Sequence, residues 1–370
     1  MKIFLLCWRD STHPQGGGSE RYLERVGEHL AAQGHEVVYR TAGHTDAPRR
    51  SRRDGVRYSR SGGKYTVYLN ALAGLLLGRL GLGTLRGCDV VVDTQNGIPF
   101  FARLVAGVPT ILLTHHCHRE QWPVAGPIIG RLGWFLESVL APRIYRGAQY
   151  VTVSGASRDD LVHLGVRPQD IAIIENGIDP VPEHVPHLEN DGLTHLVTLS
   201  RLVPHKQIEH AMDALAGLEE SVVLDVIGNG WWADALHEYA AEQGISDRVI
   251  FHGTVSEEHK HALLEQARLH LMPSRKEGWG LAVVEAAQHG VPTIGYHSAG
   301  GLGDSIRHGE TGLLIDGPAD LSATIQALLD DDAKRRRLGE AARTLAHSYS
   351  WASTARRFEE LLNDVVAANR

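Results

Sequence analysis

A chain of 370 residues is long enough for about two domains. Its 43% hydrophobic and 22% charged residues are the composition of a soluble globular protein with ample core. A net charge of −7 excludes a partner held by overall basicity, so no nucleic acid is expected.

The opening run Met1–Cys7 is short for a secretory signal and is bounded by Trp8-Arg9-Asp10, so it reads as a buried first strand. Cys7, Cys88 and Cys117 make no even, paired framework and lack zinc spacing, which favours a reducing cytoplasm. After that strand comes Gln15-Gly16-Gly17-Gly18-Ser19-Glu20, a glycine-rich turn opening a helix over Ser19–Gln33. Its glycines let backbone amides approach a ligand at a helix N-terminus. No third glycine follows at the offset of the dinucleotide fingerprint.

Further strands are expected at Glu36–Arg40, Val90–Asp93, Thr110–Thr114, Tyr150–Val153 and Ile171–Ile174. Between them, Arg49, Arg50, Arg52, Arg53, Arg57 and Arg60 form a basic stretch against the acidic net balance. It reads as a loop, solvated or drawn to an anionic membrane surface or acceptor. Tyr65–Leu85 is rich in Leu, Ala and Gly, and reads as a buried or interface-lying amphipathic helix, not a spanning one. Thr114-His115-His116-Cys117-His118 ends a strand. Alternation sends neighbouring side chains to opposite faces, so a metal site is not expected and a single hydrogen-bonding or proton-transferring histidine is.

Pro180, Pro182 and Pro186 precede Leu188–Gly192, a polar stretch of linker composition. Strands are then expected at Thr194–Ser200, Val222–Ile227, Val249–His252, Leu269–Met272, Thr293–Tyr296 and Leu313–Ile315. Strands alternating with helices throughout imply parallel α/β sheets. The expected domains are 1–185 and 190–349, two doubly wound units with a cleft between them.

At the first strand exit of the second half, Ser200-Arg201-Leu202-Val203-Pro204-His205-Lys206 offers a bidentate fork and a point charge, a plausible diphosphate clamp. The carboxyl end of a strand is where open α/β sheets bind ligands. Further on, Glu277-Gly278-Trp279-Gly280-Leu281 leads to Glu285 about two helical turns later. Two carboxylates so spaced can grip separate groups of hydroxyls on one elongated ligand.

Together, Gly-Gly-Gly-Ser-Glu, Gly34-His35-Glu36-Val37, Asn176-Gly177-Ile178-Asp179, Ser200-Arg201-Leu202 with Lys206, Gly228-Asn229-Gly230, Pro273-Ser274 and the Glu277/Glu285 pair resemble the family-4 glycosyltransferases. The resemblance covers nearly the whole chain, in the family's order. It implies the GT-B fold, two Rossmann-like domains, with a C-terminal helix over 350–370 packing back on the acceptor-binding first domain. The 190–349 domain would bind the donor. It also implies a retaining hexosyltransferase moving sugar from a nucleotide-sugar donor (UDP or GDP) to a glycan, lipid-linked or small-molecule acceptor, without metal or other cofactor.

By that resemblance Arg201 and Lys206 would hold the diphosphate, Glu277 the donor sugar and Glu285 the ribose. Gly278, Trp279, Gly280 and Leu281 would lie beside the sugar. Gly17, Gly18 and Gly228 would line the phosphates, and Val255 the base. The first-domain histidine maps to His116, with His118 its competitor. The chain departs from the pattern at Gly300-Gly301-Leu302-Gly303-Asp304, which lacks the usual Pro-Glu, and at Trp279 in place of Phe. Rival readings are a sugar phosphorylase or epimerase of the same fold, or a non-catalytic sugar-nucleotide-binding, membrane-docked subunit.

Overall fold

The apolar runs form strands and the 3.6-spaced segments between them form helices, in two compact units. The structure is a computed structural model and describes residues 1–13 and 16–369. Gln15 of the glycine-rich turn and Arg370 of the expected last helix lie outside the described residues.

Unit 1 is Met1–Gly177 with Ser350–Arg370. Its strands are β1 (Lys2–Leu6), β2 (Glu36–Thr41), β3 (Arg50–Arg53), β4 (Val56–Arg60), β5 (Val90–Gln95), β6 (Thr110–Thr114), β7 (Tyr150–Thr152) and β8 (Ile171–Ile173). They join in the order β3-β4-β2-β1-β5-β6-β7-β8, parallel except for the β3–β4 pair. Its helices are α1 (Gly18–Ala32), α2 (Thr66–Arg79), α3 (Pro127–Phe135), α4 (Ala141–Ile144), α5 (Gly155–His163) and the C-terminal helix.

Unit 2 is Ile178–Tyr349. It contains β9 (Thr194–Leu199), α6 (Ile208–Ala216), β10 (Val222–Ile227), α7 (Ala233–Glu242), β11 (Val249–Gly253), α8 (Glu257–Gln266), β12 (Leu269–Met272) and α9 (Leu281–Gln288). β13 (Thr293–Tyr296), α10 (Leu302–Ser305), β14 (Gly312–Ile315), α11 (Leu321–Asp330) and α12 (Asp332–Ala346) complete it, and α13 (Trp351–Ala368) is the helix returned to unit 1. The sheet order β11-β10-β9-β12-β13-β14 is parallel throughout.

Alternation along β9 builds both faces. Leu196 packs with α6 and α11 residues, while Val197 packs with Leu263, Leu264 and Ala286 of α8 and α9. Helices therefore cover both sides of this sheet, the doubly wound arrangement. In unit 1, α13 lies on α1: Tyr22 meets Trp351 and Phe358 edge-on, and the Thr354 hydroxyl donates to the Glu175 carbonyl at 2.9 Å.

Three observations differ from the sequence expectations. The boundary falls after Gly177, before the proline cluster, because Leu188 packs on the unit 2 core and Gln288 binds the Asp179 carbonyl at 2.9 Å. The arginine-rich stretch is a β-hairpin, β3–β4, paired to the sheet edge, not a loop. Several of its cations are neutralised: Arg60 sits 2.7 Å from Asp10 in the interior, Arg53 2.8 Å from Glu24, and Arg57 binds Glu36. Finally, α2 is apolar all round rather than amphipathic: Val67, Ala71 and Leu75 are buried while Leu69, Leu76 and Leu77 face outward.

Candidate functional site

In unit 2 the loops leaving β9, β10 and β12 are tied together by backbone. Ser200 N–H donates to Ile227 O and Leu202 N–H to Asn229 O. Contact is close enough to forbid side chains: a Cβ on Gly228 would stand 1.9 Å from Ser200 O, and one on Gly230 2.0 Å from Leu202 O. Gly228 also has φ +125°, open mainly to glycine. The Arg275 N–H donates to the His205 carbonyl at 2.9 Å, drawing the Pro204–Lys206 turn onto the segment that precedes Glu277.

This brings Lys206 Nζ to 2.5 Å from Glu277 Oε1, with both side chains largely shielded. Burial alone would raise the Glu277 carboxyl, but the Lys206 ammonium outweighs it and holds the group below its ordinary 4.5. Glu277 is thus an anion at neutral pH. Its backbone is fixed as well: Glu277 N–H donates to Ala299 O at 2.8 Å and Gly301 N–H returns to Glu277 O at 3.1 Å. A Cβ at Gly301 would lie 2.1 Å from Gly278 O, so glycine at 301 is required by this crossing.

Gly280 (φ +93°) starts α9, and Leu281 is its first residue. Trp279 is buried, edge-on to Tyr349 at 4.8 Å, so its ring is part of the core and the backbone around it is what a ligand can meet. Glu285, on α9, is held 2.6 Å from Lys260 Nζ of α8, which also reaches Glu257 at 2.6 Å. The two carboxylates of the motif therefore have separate lysine partners. Arg201 is exposed on the β9 loop, and Val255 is half-buried after β11 beside the Val197–Ile227 cluster.

In unit 1 the histidine cluster follows the end of β6, and its side chains alternate in burial. His115 is buried against Tyr22 and burial pushes it down to about 3, while Cys117 is buried too. His116 and His118 turn to the other side, with ring centroids 4.3 Å apart. The ring nitrogen Nε2 of His116 is 3.0 Å from Gln121 Nε2. His118 is anchored to buried Glu137, through its N–H at 2.9 Å and Nδ1 at 3.2 Å, and Glu137 also accepts the Trp122 indole N–H at 2.5 Å. Among the described residues no group of three or more His, Cys, Asp and Glu is placed to hold a metal ion.

At the glycine turn, Gly17 N–H donates to Glu20 Oε2 at 2.9 Å, and α1 begins at Gly18. Glu20 is fully buried and also binds Arg9 Nε at 2.7 Å and Asn96 Nδ2 at 3.2 Å. Asn96, Glu137 and Lys260 were not singled out from sequence, and Glu20 entered only as the last residue of the glycine-rich motif. Only Glu20 leaves a local signal there, an acid three residues after the capping position. The others meet their partners through folding alone.

Family models match both halves of the chain: "Glycosyltransferase Family 4" over residues 16–181 and "Glycosyl transferases group 1" over residues 182–345. A glycogen synthase of Mycobacterium tuberculosis is 28% identical, over 96% of this chain and 92% of its own length. A GDP-mannose-dependent alpha-(1-6)-phosphatidylinositol monomannoside mannosyltransferase of Mycolicibacterium smegmatis is 30% identical, over 70% of this chain and 71% of its own. Among solved structures, the sucrose-phosphate synthase of Thermosynechococcus elongatus aligns over the full length of both chains, with a TM-score of 0.82 and 20% identity. The HepE protein of Anabaena in complex with UDP-glucose aligns over 98% of this chain and 100% of its own, with a TM-score of 0.77 and 17% identity. Two parallel-sheet domains, the order of the loop motifs and these matches together place the chain in the family-4 glycosyltransferases of GT-B fold, enzymes that transfer sugar from a nucleotide-sugar donor.

Proposed function

We propose that this enzyme moves a hexose-type sugar from a UDP or GDP donor to a hydroxyl of a glycan, glycolipid or small-molecule acceptor, retaining anomeric configuration without metal. The observation that carries the reading is the shielded Lys206–Glu277 pair, on loops at the carboxyl ends of β9 and β12. An ammonium already desolvated beside an anion is preorganised to meet phosphate charge developing on a departing nucleoside diphosphate. Arg201, on the same loop, supplies the bidentate contact. Glu277, kept ionised, accepts hydrogen bonds from the donor sugar's hydroxyls. Glu285 takes the ribose hydroxyls, with the Gly278–Leu281 amides beside the sugar and Val255 near the base.

In unit 1, His116 or its neighbour His118 serves as a hydrogen-bonding group, and Gly17 and Gly18 offer amides at a helix N-terminus to anionic groups. The leaving phosphate helps to deprotonate the acceptor on the same face of the sugar, so neither Glu277 nor Glu285 serves as a nucleophile. Support for the choice of base comes from relatives: one is named as GDP-mannose-dependent, and a neighbour of like fold was crystallised with UDP-glucose. Among the described residues Cys7, Cys88 and Cys117 form no disulfide, which supports a reducing, cytoplasmic setting.

The test pairs ligand binding with turnover. A thermal-shift screen of UDP, GDP and ADP sugars should single out one nucleotide by a raised unfolding temperature. Transfer from that donor should fall by about 10²–10³ in Lys206→Ala and Glu277→Ala. Unchanged transfer in both variants would sink the assignment.

A further inference from the structure

Large apolar side chains are left outward on two helices of unit 1. Leu69 of α2 is 68% exposed and Leu80, just after it, 67%, with Leu76 and Leu77 also outward. On α3, Ile128 is 82% exposed, beside exposed Ile129, Leu132 and Phe135. Exposed leucines scattered singly need no explanation; whole turns of them mark a surface that is covered in use.

Helix α2 and the far end of the helical run that α3 begins lie over the same face of the sheet. The cluster under α2 contains Phe4, Leu6 and Val91, and the helical run that α3 begins ends at α4, beside Tyr145, in a cluster with Leu112 and Tyr150. Asp93, two residues after Val91, is the register partner of Leu112, so the two clusters share a face. Phe100 packs in the first and Phe101 against the second, which makes the clusters neighbours.

Charge then selects the occupant. No Asp or Glu stands between Asp54 and Asp89, or between Glu120 and Glu137. The exposed charges in these stretches include Lys64, Arg79, Arg86 and Arg131, and the hairpin adds exposed Arg49, Arg50 and Arg52. A second copy of the chain, docked isologously, would set these cations against themselves. A bilayer with anionic headgroups satisfies both components, taking the leucines at its acyl boundary and the cations at its phosphates.

We propose that the α2–α3 face of unit 1 docks on an anionic lipid bilayer. Among the described residues no helix is long and apolar enough to cross a membrane, so the contact is interfacial. This goes beyond the transfer reaction, because it concerns where the enzyme works and not what it transfers.

Flotation of the full-length chain with vesicles tests it. Phosphatidylcholine vesicles carrying phosphatidylglycerol should lift the protein at low salt, and phosphatidylcholine alone should not. Replacing Lys64, Arg79 and Arg86 by Gln should weaken binding about fivefold per charge. A Leu69→Ser, Leu80→Ser, Ile128→Ser variant should lose flotation while keeping its circular dichroism and its transfer to a water-soluble acceptor. Absence of flotation at low salt, or equal binding to both vesicles, overturns the proposal. So does sedimentation in which the wild type self-associates and the serine variant does not, which would make the face an interface between copies.

Discussion

Lys206 and Glu277 stand 71 residues apart in sequence and 2.5 Å apart in space, and each is what keeps the other tolerable in a shielded position. Removing one partner strands a charge, which costs about 3–5 kcal/mol in buried pairs. Because Glu277 titrates below its ordinary 4.5 in the folded state, the pair's stabilisation is complete above that value and is lost as pH falls through the lowered one. Thermal unfolding across acid pH should therefore show a wild-type loss that Glu277→Gln lacks, starting from a lower plateau. Identical slopes in the two proteins would mean the carboxylate is not held by Lys206. Glu277 was legible in the sequence because glycines surround it at a strand exit. Lys260 was not, since no spacing in the chain announces that its ammonium reaches Glu285 from another helix.

Among elements, the strand exits of unit 2 were read closely from apolar runs, because a parallel strand buried on both faces leaves an uninterrupted signature. The hairpin β3–β4 escaped because its residues are mostly arginine, and charge density reads as loop. What makes it a strand pair is edge pairing to β2 and ion pairs to Asp10, Glu24 and Glu36, all long-range facts. The helix α2 was misjudged for a related reason: its composition is right for a helix, but no periodicity says which leucines are covered. The loop exits also show how glycine shapes a site through close backbone approach. Gly228→Ala would press a methyl into Ser200 O from a backbone at φ +125°. The expected result is a loss of on the order of 1–3 kcal/mol with a displaced Arg201 loop. Denaturant unfolding reads the first and a raised donor KM the second. A variant with wild-type values in both would show that the crossing is looser than drawn.

At the scale of the molecule, two units of similar design are made from a chain that enters the second at Ile178 and returns to the first at Ser350. The return helix is amphipathic in sequence, so its existence was readable, and its seat on α1 follows from Trp351 and Phe358 meeting Tyr22. Phe358 is fully buried. Phe358→Ala should cost unit 1 about 3–5 kcal/mol, seen as an early transition in differential scanning calorimetry. The transition assigned to unit 2, identified by its shift with nucleotide, should stay in place. A single unshifted profile would contradict the seating of α13.

That returning helix has a consequence for how the chain is born. Unit 2 is one unbroken stretch, Ile178–Tyr349, and holds all its own strands by the time its last residue leaves the ribosome. Unit 1 begins before unit 2 but lacks the cover for Tyr22 until α13 is made, after the whole of unit 2. Domains usually finish in order of synthesis. Here the first to begin is the last to close.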